Sequence, residues 1–185
     1  RKVLRELPAS KTQNHNFIVA DFSNPEELRG KMLNFASEAK PVHILVNNTG
    51  GPKGGEILKA ETGEFEQAFR NHLICNQIMV QALIEGMKRN EYGRIINIIS
   101  TSVKQPIKNL GVSNTIRAAV ANWSKTLSVE LAPYGITVNN ILPGATRTER
   151  LFGIFKSRSE ASGKSLDEIE KEWMAEIPAG RFAEP

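Results

Sequence analysis

Ser113 and Arg117 stand four residues apart in "GVSNTIRAAVANW" (111–123), a spacing that puts both side chains on one face of a helix. A hydroxyl beside a guanidinium can hold the oxygens of a ligand. The same pair can equally be an N-cap serine and a surface charge, because Ser113 directly precedes an apolar-periodic run. Other residues of chemical use gather where apolar stretches end. Asp21 closes "HNFIVADFS" (15–23), "NNTGG" closes "VHILVNNTGG" (42–51), "ISTS" begins at Ile99, and "PGATRT" begins at Pro143. All are small or polar, so a ligand can approach the backbone there. Several chemistries are excluded. One cysteine, Cys75, and three scattered histidines offer no metal-ligand spacing. Ser100 lies in no G-x-S-x-G elbow, which argues against a Ser-His-Asp hydrolase. A single cysteine forbids a disulfide within the chain and makes a reducing cytoplasm the expected location.

The elements that must position these residues alternate between helix and strand. Residues 1–7 read as an amphipathic surface helix and 15–23 as a short strand. Asn24 caps a helix over 24–39, with Pro25 at its first position. A buried strand follows over 42–51, then a long helix over 64–90 with Phe65, Phe69, Leu73, Val80, Leu83 and Met87 on one side. "GRIINIIS" (93–100) and "ITVNNILPG" (136–144) are further strands, separated by a helix over 113–131, and a last helix covers 165–176. Strands rich in Val and Ile, with little polar alternation and helices between them, are the mark of a parallel sheet covered on both faces. The fold class is therefore α/β, a Rossmann-like doubly wound three-layer α/β/α sandwich. Its ligands bind beyond the C-terminal strand ends. The 185 residues make one domain. The net charge of +4, with 24 Lys and Arg scattered among 20 Asp and Glu, gives no basic stripe for nucleic acid. No apolar stretch is long enough to span a bilayer, and no signal peptide is visible.

Taken in order, the strand ends resemble those of the short-chain dehydrogenase/reductase family, most of all its 3-oxoacyl-[acyl-carrier-protein] reductase-like members. Asp21, with Phe22 beside it, is similar to the family acid that contacts the adenine ring. "HILVNNTGG" resembles the family Asn-Asn-Ala-Gly turn, with Thr49 in place of Ala. "GRIINIIS" resembles the strand that ends in the catalytic serine, here Ser100. "YGITVNNILPGATRT" resembles the Pro-Gly segment bordering the nicotinamide, with Thr148 at the family threonine. The resemblance implies NAD or NADP as cofactor and a small carbonyl or alcohol substrate. It places cofactor contacts at Asp21, Phe22, Asn48, Thr49, Gly50, Arg117, Pro143, Gly144, Thr146 and Thr148. It also implies that the first βαβ unit, with its Gly-rich phosphate loop, is missing, so that the chain is a partial domain. "GGPKGGE" (50–56) is the one Gly-rich stretch, and it stands where the family has the turn after its fourth strand.

The family catalytic set is Asn, Ser, Tyr and Lys, and this chain departs from it. Counting thirteen and seventeen positions from Ser100 reaches Ser113 and Arg117, and the family Asn falls on His72, with Asn71 adjacent. Serine is far less acidic than a phenol and too short to reach where one would act. Arg117 can hold ribose hydroxyls but stays protonated and cannot relay protons. Tyr92 and Tyr134 lie in turns at the wrong strand ends. His72, with an ordinary pKa of about 6.5, is then the best local proton donor, or else a core histidine. The candidate catalytic residues are Ser100, His72, Ser113 and Arg117, with Lys104 and Lys108 as a possible cationic rim. Segment 145–176 resembles the family's substrate-side lid, with Leu151, Phe152, Ile154 and Phe155 as an apolar patch hinged near Gly153. By the same resemblance, helices 64–90 and 113–131 pair subunits into a homodimer or homotetramer, with Cys75, Met79, Ala118, Ala119, Ala121 and Trp123 at the interface. Two function classes follow: an oxidoreductase with a modified proton relay, or a catalytically impaired dinucleotide-binding or scaffolding protein.

Overall fold

Three short runs of Val, Ile and Asn build the sheet. They are β1 (Ile44–Asn47), β2 (Gly93–Ile98) and β3 (Ile136–Ile141), all parallel and in the order β1-β2-β3. Leu45, Ile95 and Val138 stand side by side across it. The structure, a computed structural model, describes residues 6–8, 13–38 and 41–185. The helix expected over 1–7 lies mostly outside those residues.

Helices cross over between the strands as parallel pairing demands. α1 (Pro25–Glu38) precedes β1. α2 (Thr62–Phe69), a π-helical turn (Arg70–Ile74) and α3 (Cys75–Arg89) lead from β1 to β2, and α4 (Gly111–Leu131) leads from β2 to β3. Leu28 and Met32 of α1, Ile78, Leu83 and Met87 of α3 and Leu131 of α4 form one buried cluster with Leu45, Ile95 and Ile136 of the strands. Burying each such side chain contributes about 1.5–3 kcal/mol. On the other sheet face Ile44 is 55% and Val46 53% exposed, so this cluster covers one face. A second helical layer is not among the described residues.

The strand expected over 15–23 is corrected by the structure. The segment is extended but joins no ladder, and Val19 is 72% exposed. An apolar run becomes a strand only beside another strand's free edge, and no described strand lies next to it. Its end is still anchored: Phe22 packs on the core, and its carbonyl accepts from the Cys75 thiol. Cys75 is wholly buried, which removes it from the expected subunit interface.

α4 begins two residues before Ser113, which corrects the reading of that serine as an N-cap. Leu110 occupies the cap position without a side-chain bond, and Ser113 is buried in the first turn. The early start depends on Gly111, where a Cβ would stand 2.5 Å from Ile57 Cβ. Beyond β3, α5 (Glu149–Ser162) and α6 (Leu166–Ala175) form a separate lobe. Leu151 and Phe155 pack there with Ile169 and Phe182. Thr148 caps α5, and Ser165 forms a capping box with Glu168. The expected hinge at Gly153 is corrected too, because α5 runs unbroken through it. Phe152 points out of the lobe, 58% exposed.

Candidate active site

Parallel pairing puts the C-terminal ends of all three strands on one edge. The exits of β2 and β3 are tied by Ile99 N–H to Ile141 O (2.9 Å) and Thr101 N–H to Pro143 O (3.2 Å). Arg117 ties β2 to β1, donating from Nη1 to Ile98 O (2.8 Å) and from Nη2 to Thr49 O (3.4 Å). It reaches that edge because a buried relay docks α4 on the sheet. Asn47 Nδ2 donates to Asn97 Oδ1, Asn97 Nδ2 to Ser124 Oγ, and Ser124 Oγ–H to Val120 O, each at 2.8 Å. Ser124 lies two helical turns beyond Arg117, so fixing one fixes the other. Asn47, Asn97 and Ser124 were not singled out in the sequence. The available signal was two asparagines inside otherwise apolar strands, which must be paired if buried.

His72 sits in the π-helical turn, 3% exposed. A π turn inserts one residue into a helix and turns that stretch of side chains toward a new face. Here it separates the two neighbours that the sequence left as alternatives. Asn71 Oδ1 accepts from Gln67 Nε2 at 2.7 Å, while the His72 ring bonds the Gly50 backbone. A cleft of about 390 Å³ opens beside them, lined by Gly51, Lys53, Glu61, Gln67, Asn71 and His72 among others.

Arg150, in the first turn of α5, completes the cluster and was missed in the sequence. Its Nη1 donates to Gly51 O (3.0 Å) and its Nη2 to Pro52 O (2.9 Å). The approach requires Gly51, where a Cβ would come within 2.5 Å of Arg150 Nη2. The backbone from Thr49 to Pro52 is thus met in turn by Arg117, His72 and Arg150. Burial, then the cations of Arg117 and Arg150, push His72 down from 6.5 to about 4, against the opposing bond to Gly50. Burial and then Arg150 lower Arg117 from 12.5 to about 10. His72 is therefore neutral near pH 7, and Arg117 remains a cation.

The remaining candidates are placed as follows. Ser100 caps a short 3-10 turn, its Oγ accepting from Ser102 N–H at 3.0 Å. Ser113 lies one turn before Arg117, and its hydroxyl has no hydrogen-bond partner among the described residues. No hydrogen bond joins Ser100 to Ser113 or His72 among the described residues. Asp21 is exposed and accepts from Ser23 N–H, which holds its carboxyl below the usual range. Thr148 Oγ1 caps α5 while donating to Thr146 O. Gly50 and Gly144 have open space where a Cβ would stand. The expected Lys104–Lys108–Arg117 rim is corrected: the cation acting on Arg117 is Arg150. The loop after β2 carries Lys104 to a second cavity, against Ala118, Ala121 and Lys125.

Residues 1–158 match the short chain dehydrogenase family. The chain belongs to that family. It is 27% identical to the NADPH-dependent reductase BacG of Bacillus subtilis, over 89% of this chain and 63% of that protein. It is 28% identical to the 3-oxoacyl-[acyl-carrier-protein] reductase FabG of Vibrio cholerae, over 93% of this chain and 66% of that one. Its fold superimposes on the crystal structure of L-sorbose reductase from Gluconobacter frateurii, complexed with NADPH and L-sorbose. That match has a TM-score of 0.78 and 26% identity, over 90% of this chain and 64% of the other. The chain thus spans a little under two thirds of each of these relatives. The Rossmann-like parallel architecture read from the strand pattern agrees with these matches.

Proposed function

We propose that the protein is an NAD(P)-dependent oxidoreductase acting on a small carbonyl or alcohol substrate, with a proton relay that lacks the family phenol. One observation carries this reading. A buried cation, Arg117, joins the exits of β1 and β2 beside His72, on the edge where the family resemblance puts the nicotinamide. Relatives named for NADPH-dependent and 3-oxoacyl reduction support the same chemistry.

The residues present fit the two ends of a dinucleotide. Exposed Asp21, with Phe22, would border the adenine. Asn48, Thr49, Gly50, Pro143, Gly144 and Thr146 would border the nicotinamide, where the open space at Gly50 and Gly144 lets a ligand meet the backbone. When bound, the cofactor supplies or accepts the hydride. Ser100 Oγ accepts from Ser102, which leaves its own proton free to donate to a substrate oxygen. Arg117 contributes positive charge where that oxygen becomes negative. His72 supports the relay as a neutral imidazole until a ligand alters its field. Thr148 holds α5, and with it Arg150, in place. Helices over 64–90 and 113–131 are proposed to pair subunits, and the protein to be cytoplasmic.

A panel of ketones and aldehydes, followed by loss of nicotinamide absorbance, tests the reading. Slow turnover is expected, and His72→Ala should lower it further. Unchanged turnover in that variant would remove His72 from the relay. A second reading, a dinucleotide-binding protein without turnover, is favoured by one observation: two Arg117 nitrogens are already bonded to backbone carbonyls. Cofactor binding with no turnover on any substrate, and light scattering at subunit or dimer mass, would separate the two and size the assembly.

A further inference from the structure

Arg117 is 9% exposed, yet no carboxylate pairs with it among the described residues. A buried charge without a counter-charge is costly. Arg150 is exposed but likewise meets no carboxylate among the described residues. Both its terminal nitrogens rest on neutral carbonyls, and no ion pair holds it among the described residues. Its neighbour shows the contrast: Arg147 pairs with both Glu170 and Glu184. The acids lining the adjoining cleft, Glu61 and Glu64, are engaged in capping α2. Ser113, buried one turn before Arg117, adds a hydroxyl without a partner. Two guanidiniums, from α4 and α5, thus meet one turn with no anion bonded to either among the described residues.

We propose that the substrate of this site carries a carboxylate, which the forked guanidinium of Arg150 receives together with Arg117. Arg150 is suited to the exchange. It is exposed, it lies in the first turn of α5, and its Nη1 and Nη2, the two nitrogens that a carboxylate can take together, both rest on neutral carbonyls. A carboxylate adds the opposite charge that the Gly51 and Pro52 carbonyls lack. The anion also changes His72, whose protonated form Arg117 on α4 and Arg150 on α5 disfavour and whose cleft also carries Lys53, Glu61 and Glu64. Neutralising the two arginines raises its proton affinity while burial, the larger cause, still holds it down, so the substrate moves His72 toward the proton donor that its carbonyl oxygen needs. This rests on the oxidoreductase reading above. The same cations could meet the pyrophosphate of a dinucleotide, which is the other source of the anion.

The test uses sodium pyruvate, its neutral analogue pyruvamide, and inorganic pyrophosphate, without nicotinamide. The His72 imidazole is followed by NMR, which is practical with three histidines in the chain. Pyruvate is expected to raise the His72 titration midpoint by at least about one pH unit, and pyruvamide to leave it unmoved. Arg150→Gln, which can still donate to Gly51 O, should weaken pyruvate binding about tenfold or more. Arg150→Lys, which keeps the charge but loses the fork, should lie between them. Equal effects of pyruvate and pyruvamide would overturn the proposal. A response to pyrophosphate alone would overturn it as well and assign the cations to the cofactor. Because the readout needs no nicotinamide, its failure is distinct from failure of cofactor binding.

Discussion

Replacing His72 with asparagine should remove a specific part of the protein's acid sensitivity. His72 is 3% exposed and is held down to about 4, against 6.5 for an ordinary histidine. Between those values the unfolded chain binds a proton that the folded chain refuses. Stability therefore falls as pH falls from about 6.5 toward 4. At about 1.4 kcal/mol per pH unit, this single group removes about 2–3 kcal/mol by pH ~4.5. The loss is absent in His72→Asn, because asparagine does not titrate. Urea unfolding of both proteins at about pH 7 and about pH 4.5 measures it, and the difference between the two losses isolates His72 from every shared carboxylate. A difference of about 2 kcal/mol or more is expected. Parallel losses, agreeing within about 0.5 kcal/mol, would refute the view that burial and the two arginines keep His72 neutral.

Four further outcomes follow from the geometry. Asn97→Ala breaks the relay that docks α4 on the sheet and strands Asn47 and Ser124, so it should cost about 2–4 kcal/mol by urea unfolding. A double-mutant cycle with Asn47→Ala should return a coupling of about 1 kcal/mol or more. Gly111→Ala drives a Cβ to 2.5 Å from Ile57 Cβ and 2.7 Å from Ile57 Cα, and should lower the thermal midpoint through a loss of about 1–3 kcal/mol. Cys75 is wholly buried, and burial pushes its thiol up to about 11. It should resist an aromatic disulfide reagent at about pH 8 in the native protein and react at once in denaturant.

The strand ends were legible in the sequence because parallel strands announce themselves as continuous apolar runs closed by small or polar residues. "VHILVNNTGG", "GRIINIIS" and "ITVNNILPG" each contain a strand of the parallel sheet, Ile44–Asn47, Gly93–Ile98 and Ile136–Ile141. "HNFIVADFS" has the same composition and forms none, since pairing depends on a neighbour that composition does not reveal. Helix starts were legible at Ser165 but not at Thr148, although a side chain caps both. They were misplaced where tertiary contact decides, as at Gly111, which is pressed against Ile57. Counting from Ser100 pointed to Ser113 and Arg117, and counting along the preceding helix pointed to His72 or its neighbour Asn71. Arg150 was invisible to that counting. It belongs to the site only because Gly51, ninety-nine residues away, leaves room for its guanidinium. Charge partners that meet through tertiary folding have no signature in linear spacing.

The central claim is that these strand ends serve a nicotinamide dinucleotide. Titrating the protein with NADPH and with NADH while following nicotinamide fluorescence tests it most directly. Saturable enhancement with at least one of them is expected below millimolar concentration. Absence of binding by both at millimolar concentration would contradict it.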